Sequence, residues 1–222
     1  PETLEESLQL LGEYGENARP IAGGTAVVTL MKQNLILADH LVSLGKLSEL
    51  QTITEHNGDL IIGALVTHRQ VETNLTVRKN SPLITEVFNR VATIRIRNIA
   101  TVGGSLAHAD PAQDPPPALI VSNAYVTLTS LTGTRQLPVE ELFLDYYQSN
   151  IEPNELLTSL TIPKQPVNAR SVYLKFLPKT QDDYAAVSVA ALGQMKEGQC
   201  EDIKLALGSA GPTPVRATRV ES

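Results

Sequence analysis

The chain has few of the residues on which several classes of protein depend. Its 222 residues include one cysteine, Cys200, and no tryptophan. A single cysteine forms no internal disulfide and no cysteine-based zinc or iron–sulfur site, and it is typical of a reducing compartment such as the cytoplasm. No apolar run approaches the ~20 residues that a membrane-spanning helix needs. The sequence therefore predicts a cytoplasmic protein without a membrane span or a cysteine-based metal centre.

Positive charge is also in the minority. The chain has 18 Lys and Arg against 24 Asp and Glu, a net charge of −6. Nucleic-acid binding is not expected, because phosphate neutralisation needs clustered basic residues. None of the four histidines pairs with a second ligand at metal spacing, so each is interpreted as a surface or core residue. The chain begins at Pro1 without a signal-peptide pattern, which is typical of a mature or trimmed chain.

The first region, residues 1–49, has the pattern of a small α/β unit. Thr3 and Glu6 predict a capped helix that carries its leucines on one face and ends at Gly12 and Gly15. A strand over 19–22, a second helix capped by Thr25 and a strand over 40–43 then complete a βαβ-like arrangement.

Two further regions follow, over 50–163 and 169–222, separated by a proline-containing linker. In the first of them, Asn57-Gly58 is a type I′ hairpin signal. The elements predicted here are strands at 51–56, 60–65, 124–130 and 156–162, helices at 68–74 and 82–91, and a short helix after Pro117. The last region is predicted to hold three strands, at 172–177, 185–195 and 203–209, with no helix and one face of the sheet uncovered.

Two segments share a Gly-Gly-hydroxyl pattern. They are Ala22-Gly23-Gly24-Thr25 and the glycine loop Thr101-Val102-Gly103-Gly104-Ser105. Glycine lets the backbone approach a ligand, and the amides at the start of a following helix suit a pyrophosphate. The alternative is a pair of ordinary, unrelated turns. No Walker A or G-x-G-x-x-G sequence is present, so any dinucleotide must be held by a different fold.

The residues around both segments resemble those of a known flavoprotein family. The run from Ala18 to Thr25 with Leu30-Met31-Lys32 resembles the first flavin loop of the FAD subunits of molybdenum hydroxylases, and the run from Ile96 to Pro111 resembles the second. This family includes the medium subunit of carbon monoxide dehydrogenase and the flavin part of xanthine dehydrogenase. The resemblance covers nearly the whole chain, but the C-terminal helical part that the family pattern leads us to expect is lacking.

The resemblance implies an α+β fold of the PCMH type. It would comprise a small N-terminal α/β subdomain, a larger mixed α+β subdomain and a partial C-terminal antiparallel β domain, with FAD between the first two. The pyrophosphate would lie between the two glycine segments, Asp114 would bind the adenosine part, and Lys175 would lie near the flavin. Tyr184 would stack on the flavin ring. The FAD-binding residues implied are Pro20, Ile21, Ala22, Gly23, Gly24, Thr25, Ala26, Val27, Thr101, Gly103, Gly104, Ser105, His108, Asp114, Leu157, Lys175, Asp183 and Tyr184.

The family resemblance also implies partners. An iron–sulfur subunit with [2Fe-2S] clusters would supply electrons to FAD, a molybdopterin subunit would act on the substrate, and NAD, a quinone or oxygen would be the external acceptor. These chains would form a heterotrimer. One alternative is a stand-alone PCMH-type flavin oxidase or reductase, which needs its own substrate pocket. Another is a scaffold protein whose glycine segments are merely turns.

Overall fold

The computed structural model describes residues 1–180 and 182–222, and its N-terminal part is a two-stranded parallel sheet with two helices. The elements are α1 (Leu4–Tyr14), β1 (Ala18–Ile21), α2 (Val27–Lys32) and β2 (His40–Ser43). Helix α1 begins after Thr3, whose Oγ1 accepts a hydrogen bond of 3.1 Å from the amide of Glu6. The parallel pairing of β1 with β2 confirms the predicted βαβ-like arrangement.

Two details of this region differ from the prediction. Helix α1 continues past Gly12 and ends only at Gly15, where φ is 52°. The predicted cap of α2 by Thr25 is wrong. The cap is Ala26, which is already in the helical region and makes no side-chain hydrogen bond, while the carbonyl of Thr25 accepts from the Thr29 hydroxyl at 3.0 Å.

The middle of the chain forms a five-stranded antiparallel sheet with helices around it. Its elements are β3 (Ile53–His56), β4 (Asp59–Gly63), α3 (His68–Thr73), α4 (Leu75–Asn80), α5 (Pro82–Asn89), α6 (Ile94–Arg97), α7 (Val102–His108), α8 (Pro115–Val121), β5 (Tyr125–Ser130), β6 (Gly133–Pro138), β7 (Phe143–Asp145), β8 (Gln148–Ser149) and β9 (Leu156–Ile162). The strand order is β3-β4-β9-β5-β6, and β7 pairs separately with β8. Asn57 and Gly58 have φ of 54° and 95°, which confirms the predicted hairpin.

The second glycine segment is not a loop, as predicted, but the first turn of α7. The Thr101 side chain caps this helix by accepting a hydrogen bond of 3.2 Å from the Gly104 amide. Two adjacent glycines indicate a break in a sequence, yet a helix forms here because the side-chain cap and contacts to the segment after β4 hold its first turn.

The last region is a four-stranded antiparallel sheet. It consists of β10 (Ala169–Phe176), β11 (Val187–Lys196), β12 (Gln199–Gly208) and β13 (Val215–Arg216), followed by α9 (Thr218–Glu221). The prediction of three strands without a helix is therefore wrong. The extra elements fold back onto the sheet because the Glu221 carboxylate accepts from the Leu205 amide at 2.9 Å and from Nε of Arg216 at 3.1 Å.

The two faces of this last sheet differ. One face packs on α5 and α8, and its Tyr173, Ala190 and Leu192 belong to the same buried cluster as the middle sheet. The other face exposes apolar side chains such as Leu174 and Phe176, which are 63% and 66% accessible. The predicted α+β fold and the predicted uncovered sheet face are confirmed. Among residues 1–180 and 182–222, no helix combines the length and the apolar character needed to cross a membrane.

Candidate functional site

The fold brings the two glycine segments together. The first segment connects β1 to α2, and the second opens α7. A Cβ atom on Gly23 would lie 2.1 Å from the carbonyl oxygen of Ile99, and one on Gly104 would lie 4.0 Å from the Cβ of Ala22. Gly23 therefore has no room for a side chain, and the segments face each other, as binding of one pyrophosphate by both would require.

The backbone amides of Gly23 to Val27 are free to bind an anion. Within the described chain, none of these amides donates a hydrogen bond, and the next amide along, that of Val28, donates to the Gly24 carbonyl at 3.0 Å. Gly24 has φ of 72°, so the chain turns through a left-handed residue within this segment. Successive amides in such a turn form a concave surface that favours anions.

The amides of the second segment are already bonded within the protein. The Gly103 amide donates to the carbonyl of Ala64 at 2.8 Å, and the Gly104 amide donates to Oγ1 of Thr101. A Cβ on Gly103 would lie 2.5 Å from the Cβ of Ala64, so this glycine permits close packing. The second segment thus presents the hydroxyl groups of Thr101 and Ser105, whereas the first presents amides.

Asp114 lies at the start of α8 and binds two side chains of β10. The Tyr173 hydroxyl donates to Oδ1 of Asp114 at 2.6 Å, and Nζ of Lys175 donates to Oδ2 at 2.9 Å. Nζ also donates to the Arg90 carbonyl at 3.1 Å. Burial raises the pKa of Asp114, and both hydrogen bonds act against this increase. Both carboxylate oxygens are therefore engaged by the protein, and they join the middle region to the last sheet.

Asp183 and Tyr184 lie in the segment that connects β10 to β11. The Asp183 carboxylate accepts a hydrogen bond of 2.8 Å from the Thr180 amide, which lowers the pKa of Asp183. Burial and the negative charge of Asp110 raise the pKa of the Tyr184 hydroxyl group, while the residue as a whole remains 63% exposed. The exposed ring is thus available to a ligand, as the predicted stacking needs.

The other residues predicted to bind FAD lie on several different elements. His108 is in the last turn of α7, with its ring centroid 5.2 Å from that of Tyr147, and burial lowers the pKa of His108 against an opposing effect of Asp110. Leu157 is a core residue of β9 with 7% exposure. The rest of the first segment comprises the exposed Pro20 and the half-buried Ile21, Ala22, Thr25 and Ala26. Their contacts with FAD remain predictions.

One residue at this site escaped the sequence interpretation. His68, the first residue of α3, is 2% exposed, and its Nε2 atom lies 3.2 Å from Oγ of Ser105. Burial lowers the pKa of His68 to about 4. The interpretation of each histidine as a core or surface residue agrees with the burial of His68, but it did not predict the contact of His68 with Ser105. No spacing signal connects it to Ser105, which is 37 positions away.

Comparisons with known proteins identify the family of this chain. Residues 1–165 match the family described as "FAD binding domain in molybdopterin dehydrogenase", and residues 172–222 match the "CO dehydrogenase flavoprotein C-terminal domain". The chain is 32% identical to the 6-hydroxypseudooxynicotine dehydrogenase complex subunit alpha of Paenarthrobacter nicotinovorans over 100% of this chain and 75% of the relative. It is also 32% identical to the carbon monoxide dehydrogenase medium chain of Afipia carboxidovorans, over 98% of this chain and 75% of the relative.

The solved structures give the same result. The structure of carbon monoxide dehydrogenase from Hydrogenophaga pseudoflava that lacks the Mo-pyranopterin moiety matches with a TM-score of 0.95 and 29% identity, over 98% of this chain and 75% of that one. The chemistry of the donors on this chain also fits FAD, because the two glycine segments are adjacent and the amides of Gly23 to Val27 donate to no group of the described chain. The chain belongs to the FAD-binding medium subunits of the molybdenum hydroxylase family, and it is thus an oxidoreductase subunit with an FAD-binding domain.

Proposed function

We propose that this chain is the electron-transfer flavoprotein of a molybdopterin-dependent dehydrogenase complex. The chemistry that bound FAD supplies is the transfer of electrons from the [2Fe-2S] clusters of an iron–sulfur subunit to NAD, a quinone or oxygen. Oxidation of the substrate belongs to a separate molybdopterin subunit. The observation that carries the proposal is the contact between the two glycine segments, with free amides on one side and hydroxyl groups on the other.

Each glycine segment has its own part in binding. The amides of Gly23 to Val27 donate to the oxygens of the pyrophosphate. The hydroxyl groups of Thr101 and Ser105 complete the site from the opposite side. Gly23 and Gly103 keep the supporting backbone close, since a Cβ on either residue would collide with the neighbouring segment. This division explains why glycines are needed in both segments although free amides are found in one.

Two side chains act at the flavin end of the site. The ammonium group of Lys175 is held by Asp114 and by the Arg90 carbonyl, so its positive charge has a fixed position. A fixed charge beside the flavin favours the reduced state, in which negative charge accumulates on the ring. The Tyr184 ring, in a residue that is 63% exposed, would cover one side of the flavin. Asp114 acts through Lys175, since its two carboxylate oxygens bind Tyr173 and Lys175, and His108, Leu157 and Asp183 contribute further contacts with the cofactor.

The names of the relatives support assembly of this chain with partner subunits. Their names include a dehydrogenase "complex subunit", a "medium chain" and a "medium subunit". We therefore infer a heterotrimer with an iron–sulfur and a molybdopterin subunit. The division of the chain into the regions 1–49, 50–163 and 169–222 is part of this proposal. So is a location in the cytoplasm, which the presence of a single cysteine supports.

The proposal is tested by affinity purification of the chain from its native host under mild conditions. We expect a yellow preparation with one FAD per chain, together with two further subunits that carry iron–sulfur clusters and molybdopterin. A yellow protein that purifies alone and oxidises a small alcohol would favour the stand-alone oxidase. A colourless protein that does not bind added FAD would favour the scaffold and overturn the proposal.

A further inference from the structure

The buried contact between His68 and Ser105 has a consequence for ligand binding. We propose that His68 is a positioning residue for the FAD pyrophosphate: its Nε2–H group donates to Oγ of Ser105 and thereby leaves the Ser105 hydrogen for a phosphate oxygen. The inference rests on the proposed function, because it needs a pyrophosphate between the glycine segments. His68 itself acts through Ser105 and has no contact with the ligand.

The hydrogen count of Ser105 leads to this assignment. A hydroxyl group has one hydrogen and accepts through its lone pairs. Oγ of Ser105 lies 3.1 Å from the Val102 carbonyl, which can only accept, and 3.2 Å from Nε2 of His68. Both contacts are hydrogen bonds only when the hydroxyl group donates to the carbonyl and the histidine donates to the hydroxyl group, and the proposal assigns this arrangement. A phosphate oxygen is a stronger acceptor than a neutral carbonyl, so on binding the hydrogen turns to the phosphate while His68 continues to donate.

The protonation of His68 agrees with this assignment. The side chain is buried against Phe88, with ring centroids 5.0 Å apart in an edge-to-face arrangement. Burial lowers the pKa of His68 to about 4, so the ring is neutral at pH 7 and carries one hydrogen. Nδ1 is buried and makes no hydrogen bond with any described residue. The one hydrogen therefore belongs on Nε2.

The backbone fixes the ring relative to the second glycine segment. The amide of His68 donates to the Ala100 carbonyl at 2.9 Å, and the preceding residue, Thr67, forms an isolated antiparallel bridge with Thr101. His68 and Ser105 are thus held by pairing of their own segments and not only by the side-chain contact. Removal of the imidazole donor should leave the segments in place and change the direction of the Ser105 hydroxyl.

The test is a double-mutant cycle on FAD affinity, measured by titrating the FAD-free form of the purified chain. We expect His68→Phe, which keeps an apolar ring, and Ser105→Ala each to weaken FAD binding about tenfold. The double variant should bind no more weakly than Ser105→Ala alone, because His68 acts through Ser105. His68→Gln retains an NH donor near the Nε2 position and should restore most of the affinity.

Each other outcome has a distinct meaning. If His68→Phe weakens binding equally with and without the Ser105 hydroxyl, or leaves binding unchanged, the positioning role is overturned while the proposed function stands. If the unmodified chain binds no FAD, the proposed function fails. Nitrogen-15 NMR of the histidine-labelled native chain does not depend on any variant folding: an Nε2–H tautomer at His68 supports the assignment, and an Nδ1–H tautomer overturns it.

Discussion

The ammonium group of Lys175 lies 2.9 Å from a carboxylate oxygen of Asp114, and their side chains are 1% and 5% exposed. The sequence interpretation assigned these residues to separate ends of FAD, one at the adenosine part and one near the flavin. In the structure the two side chains form one buried ion pair, with Tyr173 as a further donor to the carboxylate. Their contributions to stability and to cofactor chemistry are therefore coupled.

Replacement of Asp114 by Asn should strongly destabilise the protein. The variant leaves the Lys175 ammonium buried without a counterion, and removal of one partner of a buried pair costs about 3–5 kcal/mol. Urea unfolding of the two proteins measures this loss. Glu201→Gln is the matched control: its partner Lys196 lies 3.2 Å away, but these side chains are 47% and 66% exposed, so we expect less than about 1 kcal/mol. Equal effects of the two substitutions would argue against a structural ion pair.

Replacement of Lys175 by Met should lower the reduction potential of the bound flavin. A charge-assisted hydrogen bond contributes about 1.5–3 kcal/mol, which corresponds to about 30–60 mV for a two-electron couple. Redox titration of the FAD-loaded protein gives the potential directly. Lys175→Arg keeps the positive charge and should retain most of it. An unchanged potential in Lys175→Met would exclude the electrostatic role, whatever happens to stability.

Replacement of Gly23 by Ala should weaken FAD binding by about tenfold or more. The new Cβ would lie 2.1 Å from the Ile99 carbonyl oxygen, so the two glycine segments must move apart, and overpacking of this kind costs about 1–3 kcal/mol. Gly12→Ala is the control: it lies in α1 with no atom within 4 Å of the added Cβ, and it should stabilise the helix by about 0.5–1 kcal/mol. FAD titration of both variants makes the comparison. Unaltered affinity in Gly23→Ala would mean that contact between the segments is not needed.

Local signals accounted for much of the fold. The hairpin at Asn57-Gly58 and the strand Leu156–Ile162 were predictable because a type I′ turn and a run of apolar and hydroxyl residues specify structure over a few positions. The short helices α4 and α6 were missed. Each is begun by a side-chain cap, Asn74 in one and Thr93 in the other, and is too short for an apolar period to show in the sequence.

Long-range contacts account for what the sequence did not reveal at the site. The resemblance to the family motifs predicted that both glycine segments bind one ligand, and the structure places the two segments in contact. The Gly103 amide of the second segment is hydrogen-bonded to the carbonyl of Ala64 and is therefore not free for a ligand. Ala64 has no distinctive signal in the sequence, so this bond could not be predicted. The contact of His68 with Ser105 and the pair of Asp114 with Lys175 likewise join residues 37 and 61 positions apart.

Replacement of Tyr184 by Ala should weaken FAD binding by about three- to tenfold, because stacking of aromatic rings contributes about 0.5–1.5 kcal/mol beyond burial of area. Iodide should also quench the fluorescence of the bound flavin more strongly in this variant, because the flavin ring is more accessible to solvent. Tyr184→Phe keeps the ring and loses only the hydroxyl group, so it should resemble the native protein in both measurements. If Phe and Ala behave alike, the hydroxyl group and not the ring is what matters.

His68 should make the stability of the protein depend on pH between about 6.5 and 4. Burial lowers its pKa from 6.5 to about 4 in the folded protein, so in this interval the unfolded chain binds a proton that the folded chain does not. The free energy of unfolding should therefore fall by about 3 kcal/mol as the pH falls through this range, and the contribution of His68 should be constant above pH 6.5. The His68→Gln variant has no titrating group at this position. Over the same pH range, its free energy of unfolding should therefore fall by about 3 kcal/mol less than that of the native protein. Urea unfolding of both proteins from pH 7.5 to pH 4 measures the difference, and parallel curves would show that the imidazole is protonated in the folded state as readily as in the unfolded one.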